Sequence, residues 1–377
     1  MKSPSHPISE LIISFSSIVD YRKKKGIQYS LHELIAGSIL AMLAGADDFT
    51  SMSEFCKAKK EFLSHYFHFP RVPSHDQFRW IYANINPIEF NKCFTDWTKI
   101  FSKITDGEII PIDGKVLRAT QDSTCHKSAM CIVSAWASSN GMSLGQVKVE
   151  QKSNEYAAIP KLLQLLDLKG SVVSIDAIAT RLPIAKMIIG KKADYILALK
   201  KNNKNLYLEA ESFFKNFKGS KLISSSIEQE NKGHGREEKR TCFVINDLKY
   251  IPDCKQWPEI KSLICIESER TAKGKHSTEC RYYISSLCGD ASMFLASIRK
   301  HWSIENNLHW RLDVTFSEDQ CRSKYKNCPE NLNVARKIVL AILDADKRRL
   351  GGKNKRLRAA WNDDNLIEMV RTFANIL

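Results

Sequence analysis

The chain of 377 residues carries 57 Lys and Arg against 42 Asp and Glu, a net charge of +15, and 43% of its residues are hydrophobic. That length supplies core for two or three domains of an ordinary globular protein, and the positive excess favours a polyanionic partner such as nucleic acid. The 11 cysteines form no C-x-x-C pair, which excludes a disulfide framework and a zinc ribbon and reads as reduced cytosolic thiols.

The N-terminus, MKSPSHPISELIISF, lacks the charged start, long apolar run and small-residue cleavage site of a signal peptide. The longest apolar stretch, Leu34 to Ala46, is interrupted by Gly37 and Ser38 and is too short for a membrane span, so no membrane partner and a cytoplasmic location are expected. Residues 1–106 read as an all-helical domain, with apolar residues at helical spacing in LHELIAGSILAMLAGA, MSEFCKAKKEFLSHYF and HDQFRWIYANINPIEFNKCFTDWTKIF, broken by Pro70, Pro73 and Pro87. Then the period changes. EIIPIDGKVLR and CIVSAWAS are β-rich, and Asn140-Gly141 is a hairpin signal leading into MSLGQVKVE.

A helix opened by Pro160 follows, then a buried strand SVVSID, a helix around LPIAKMIIGKK, and a strand DYILALK. The resulting order, β-β-β-α-β-α-β, demands a right-handed crossover and a partly parallel sheet, as in an α/β ribonuclease H-like fold. Residues 205–289 read as a β-rich insertion. The chain then returns to helix in ASMFLASIRKHWSIENNLHWRLDV, capped by Asp290, so that 107–204 with 290–377 form the expected catalytic core. Basic clusters recur at Arg22 to Lys25, Lys57 to Lys60, Lys191 to Lys192, Lys200 to Lys204 and Lys347 to Arg358, which spreads the charge over several surfaces.

Asp113 ends an apolar strand immediately before Gly114, an open position suited to a metal shared with a phosphate, or to a plain Asp-Gly turn. Asp176 repeats the pattern after SVVSI, and ligands in open α/β sheets gather beyond the carboxyl ends of strands. In HWSIENNLHW, Glu305 lies on a partly apolar helix face between His301 and His309, where an unpaired carboxylate is costly. It pairs with a histidine, with Arg299 or with a metal. Three carboxylates suit Mg²⁺, and two such ions can clamp the attacking and leaving oxygens of a phosphoryl displacement. The sharper rival is a zinc site of His301, Glu305 and His309, which leaves both aspartates unexplained.

The chain resembles the DDE transposases of bacterial insertion sequences, within them the ISAs group that includes the H-repeat-associated proteins. The resemblance rests on IPIDGKVLR, EQKSNEYAAIPKLLQLLDLKGSVVSIDA, DYILALKKNNKNL, NKGHGREEKR, YYISSL and HWSIENNLHWRLDVTFSEDQCR, which occur in family order, and on PSHDQFRWIY nearer the N-terminus. It implies a catalytic and metal-binding triad of Asp113, Asp176 and Glu305, two Mg²⁺ ions with Mn²⁺ as substitute, and double-stranded DNA as partner, both element ends and target. It further implies a water that cuts at the element's end, a freed 3′-hydroxyl that attacks target DNA, a homodimer in the DNA complex, and residence with the bacterial nucleoid.

Lys115, Arg118, Lys200, His234, Arg236, Arg240 and Arg299 are candidate phosphate contacts by type and clustering, or else solvated charges. Glu155, Asp313, Glu318 and Asp319 are spare carboxylates, Asp313 being the one most easily mistaken for the third ligand. The chain departs from the family pattern at His301 and Leu312, where a tyrosine or basic residue is usual, at Ala179-Thr180-Arg181, and at Asn203. Two rival functions remain: a DNA-binding protein with a retired acidic site, and a nuclease that cuts but does not join.

Overall fold

The structure, a computed structural model, describes residues 6–23, 25, 27–101, 104–121, 128–150, 154–233, 236–272 and 275–374. The N-terminal region is helical: α1 (Pro7–Ser14), α2 (Leu31–Leu43), α3 (Phe49–Ala58), α4 (Lys60–Ser64), α5 (His75–Asn84) and α6 (Pro87–Phe101). Local chemistry sets the starts. Ser30 caps α2, Asp48 forms a capping box with Ser51 on α3, and Ser74 does the same with Gln77 on α5.

Strand β1 (Ile109–Leu117) pairs antiparallel with β2 (Met130–Ala137), which turns at Gly141, φ +63°, into antiparallel β3 (Met142–Lys148). The Asn-Gly signal therefore forms the expected hairpin, because glycine alone takes that φ without strain. Helix α7 (Glu155–Leu165) follows. It starts five residues before Pro160, so that proline lies inside the helix and forfeits one backbone hydrogen bond instead of opening it. Strands β4 (Val172–Ile175) and β5 (Asp194–Leu199) are parallel to β1, with α8 (Leu182–Gly190) crossing between them.

After α9 (Lys204–Phe217) come β6 (Ser225–Gly233), β7 (Arg236–Ile245), β8 (Ser262–Ala272) and β9 (Lys275–Ser285). These four antiparallel strands continue the core sheet, because β9 pairs with β5 from Ile196↔Ser285 to Leu199↔Tyr282. One nine-stranded mixed sheet results, in the order β3-β2-β1-β4-β5-β9-β8-β7-β6. The chain closes with α10 (Ala291–His301), a π-helical turn at Glu305–His309, α11 (Trp310–Phe316), α12 (Cys328–Ala345), α13 (Gly352–Trp361) and α14 (Asp363–Ala374). Asp290 caps α10 as expected, accepting from the Met293 amide at 2.8 Å.

Alternation along each strand divides the packing. Ile110, Ile112, Val173 and Ile175 face a core shared with α7, α8 and α9, while Ile109, Val172 and Ile196 face Phe294, Leu295 and Ile298 of α10. A third core joins α1–α6 to the C-terminal helices and takes in Ile304, Leu308, Leu312 and Phe316. The N-terminal helices thus share their interior with the last helices of the chain. Among the described residues no helix is long and apolar enough to cross a membrane, and every cysteine is free.

Candidate functional site

Parallel pairing of β1 with β4 runs from Ile109↔Val172 to Ile112↔Ile175. Asp113 and Asp176 come next in that register, so both carboxylates stand at the same level on the face that α10 covers; Asp176 lies just past the end of β4, but β1 runs on through Asp113 to Leu117, so Asp113 is a mid-strand residue and does not end its strand as expected. Glu305 descends on that face from the π turn. The apolar residues Ile304, Leu308, Leu312 and Phe316 recur every four positions and are buried in the helical core, which fixes the segment that carries Glu305.

A cleft of about 580 Å³ opens here, lined by Asp113, Asp176, Lys200, Arg281, Trp302 and Glu305 among others. His309 Nδ1 lies 3.5 Å from Asp113 Oδ2 and 3.7 Å from Glu305 Oε2. Burial, with the charges of Lys337 and Lys115 adding to it, pushes His309 down to about 3, so at neutral pH these are not ion pairs. Burial pushes the Asp113 carboxyl up to about 6; the Gly114 amide opposes the rise, and the negative charges of Glu305, Glu155 and Asp176 add to it. Donor atoms of Asp113, Glu305 and His309 all lie within 4.8 Å of one another. Crowded anions around one half-buried carboxylate fit a divalent cation, which would relieve the repulsion.

Asp176 lies outside that trio. Its Oδ1 is 3.7 Å from Lys200 Nζ, and both side chains are more than half exposed, so the pair contributes at most about 1 kcal/mol and leaves Lys200 free to meet an anion. The other basic candidates separate clearly. Lys115 is partly buried, donating to Asp313 Oδ2 at 2.5 Å and to the His309 carbonyl at 3.3 Å, so it is already committed within the protein. Arg118 is exposed, 3.5 Å from Asp319. Arg240 is 2.5 Å from Glu238, and Arg299 donates to Gln229 at 3.3 Å; both line a second cavity of about 640 Å³ that shares Arg281 and Trp302 with the first. His234 lies outside the described residues, and only the backbone of Arg236, at the start of β7, is described.

The spare carboxylates have partners as well. Asp313 is held by Lys115, Asp319 by Arg118, and Glu318 is buried against Arg336 at 3.3 Å. Glu155 lies over Gly114, where an added Cβ would come within 2.5 Å of its carboxylate oxygen. The rival histidine set does not assemble: His301 Nδ1 bonds Ser174 Oγ at 2.9 Å and lies outside the trio. Sequence reasoning missed the approach of His309 to Asp113, although its place four residues after Glu305 was visible. It also missed Arg281, whose guanidinium lies 5.4 Å over the Trp302 ring, because a lone arginine in a strand gives no signal.

The raised Asp113 value has a stability consequence. Its folded value lies above the unfolded 3.8, so the folded state holds this proton more tightly and stability declines as pH rises from about 4 to about 6. Above that range the ionised group costs up to about 3 kcal/mol, less some solvent screening. Asp113→Asn is therefore expected to raise the Tm of metal-free protein at pH 8 by a few degrees and to show no gain at pH 4. Thermal melts at the two pH values check this.

Asp113, Asp176 and Glu305 thus line one cleft together with Lys200 and Arg281, a set of side chains whose chemistry fits a cation and an anionic ligand. A model described as a transposase DDE domain matches residues 104–342, and one described as DDE_Tnp_1-associated matches residues 12–98. The chain belongs to the DDE transposase family. It is 37% identical to "Putative transposase YncI" of Escherichia coli O157:H7, over 98% of this chain and 96% of that one. It is 33% identical to "H repeat-associated putative transposase YhhI" of Escherichia coli K12, over 96% and 98%. A solved piggyBac transposase synaptic complex with hairpin DNA aligns over 99% of this chain and 82% of its own, at a TM-score of 0.46 and 11% identity, too loose a likeness to support an argument. Family membership implies use of a divalent metal.

Proposed function

We propose that this protein cuts double-stranded DNA at the ends of an insertion sequence and joins the freed ends to target DNA, using Asp113, Asp176 and Glu305 to hold Mg²⁺. The observation that carries this reading is the register of β1 and β4, which sets Asp113 and Asp176 side by side where Glu305 descends. When bound, two divalent ions supply charge stabilisation to the attacking and leaving oxygens of an in-line displacement. The chain's own groups do the rest. The half-buried Asp113 and the anchored π turn fix the donors in place before substrate arrives, so little reorganisation is needed. Lys200 can exchange Asp176 for a DNA phosphate, and Arg299 and Arg240 extend a basic track along the neighbouring cavity.

The ribonuclease H-like core is assigned to 107–204 with 290–377, the strands within 205–289 form an extension that widens the substrate surface, and the helices of 1–106 recognise the element's end. Two copies hold two ends in the DNA complex. The protein works in the cytoplasm with the nucleoid.

The test is cleavage and strand transfer on DNA carrying the element's flanking ends, with Mg²⁺, Mn²⁺ or EDTA. Nicked and joined products that vanish with EDTA are expected, together with binding whose log affinity falls linearly with log salt. Binding without cleavage in any divalent metal would instead mark a retired DNA-binding protein. Cutting without joining would mark a nuclease.

A further inference from the structure

We propose that His309 is itself a metal ligand, through Nδ1, completing with Asp113 and Glu305 a mixed nitrogen-oxygen site that prefers Mn²⁺ or another borderline transition cation to Mg²⁺. This rests on the reading of the carboxylates as a metal site and goes beyond the three acids that carry it.

The geometry is the first support. An octahedral ion with donors at about 2.1 Å sets neighbouring donors about 3.0 Å apart and opposite ones about 4.2 Å apart. The Nδ1 separations of 3.5 and 3.7 Å, within a trio spanning no more than 4.8 Å, need only a slight contraction to meet those values. Asp176, by contrast, is engaged by Lys200 and stands outside the trio, so the histidine and not the second aspartate is the third donor already in place.

Burial is the second support. Only 7% of the His309 side chain is exposed, and its Nε2 has no hydrogen-bond partner. The polar approach of this buried ring is therefore that of Nδ1 to the two carboxylates. A neutral imidazole offers a lone pair, and a metal is the partner that uses it beside two anions. The backbone agrees: His309 ends the π-helical turn that begins at Glu305, with Leu308 and Leu312 buried on either side of it. Widened turns of this kind recur at functional sites because they re-aim side chains that an α-helix would place elsewhere.

The preference follows from donor chemistry. Oxygen donors alone suit Mg²⁺, whereas an imidazole shifts the balance towards Mn²⁺, Co²⁺ or Zn²⁺.

The experiment is Mn²⁺ binding to the purified full-length protein without DNA, followed by electron paramagnetic resonance and its spin-echo modulation. Wild type, His309→Asn, His309→Ala and Asp113→Asn are compared, with thermal melts of the metal-free proteins as the folding control. His309→Asn places an oxygen near the Nδ1 position and keeps the test alive if the alanine variant does not fold. We expect modulation from a directly bound ¹⁴N in wild type, absent in His309→Asn. We also expect Mn²⁺ affinity to fall roughly tenfold or more in His309→Ala, with a smaller change for Mg²⁺. Bound Mn²⁺ with no nitrogen coupling, lost in Asp113→Asn but unaltered in either His309 variant, overturns the ligand role and leaves the carboxylate site standing. A wild type that binds no divalent metal overturns both.

Discussion

Asp113→Asn, Asp176→Asn and Glu305→Gln are each expected to lower metal-dependent cleavage of the element's ends by roughly 10²–10³-fold or more, with DNA binding retained. Each substitution keeps the side chain's size and removes one anionic donor. The three differ in how they fail. Asp113 and Glu305 share the compact trio, so their loss removes metal binding even without DNA. Asp176 stands apart, 3.7 Å from Lys200, so Asp176→Asn is expected to retain DNA-free metal binding and fail at the chemical step. Gel assays of cleavage beside calorimetric metal titration separate these cases. Full activity in Glu305→Gln would overturn the assignment of the third acid.

The largest expected effect on stability lies behind the site. Arg336 on α12 and Glu318, which follows α11, are each 2% exposed and lie 3.3 Å apart, and Asn333 donates to the same Glu318 oxygen at 2.9 Å. Arg336→Met strands that carboxylate in the interior, at an expected cost of about 3–5 kcal/mol, a large share of the stability of a folded protein. The pair is incompletely satisfied, since Arg336 Nη2 and Glu318 Oε2 have no hydrogen-bond partner. Replacing both by apolar residues, as in Glu318→Leu with Arg336→Met, is therefore expected to recover most of the loss. Urea unfolding midpoints of the single and double variants measure the difference. An Arg336→Met protein as stable as wild type would mean that the interior reaches Glu318 with water or another partner.

What could be read from sequence follows from what periodicity encodes. Apolar runs before Asp113 and Asp176 announced two strands, and Asn140-Gly141 announced the hairpin, because each signal is local; the end of β1 was misplaced, since pairing with β2 carries it through Asp113 to Leu117. The attachment of β9 to β5 was not legible. Antiparallel edges choose partners by tertiary packing, and alternation in YYISSL fits a separate insertion as well as the core sheet. The π turn was hidden for a related reason: Ile304, Leu308, Leu312 and Phe316 keep an i, i+4 rhythm that an ordinary helix also satisfies, so His309 could not be aimed at Asp113. The spare acids were the least decidable. Asp313 and Glu318 look like free carboxylates in a string of residues, and only long-range contacts reveal Lys115 and Arg336 as their partners.

The shared interior of the first and last helices has a consequence during synthesis. Helix α2 buries nearly every one of its residues, in part against α12 and α13, chain that leaves the ribosome last. With roughly 300 residues between α2 and its C-terminal partners, emergence at about 5–20 residues per second leaves its apolar surface uncovered for tens of seconds. A nascent chain in this state is a natural client for ribosome-associated chaperones. Products cut short before α12 cannot complete the layer that anchors Glu305, so premature termination is expected to yield fragments cleared by proteolysis and not a partly active enzyme.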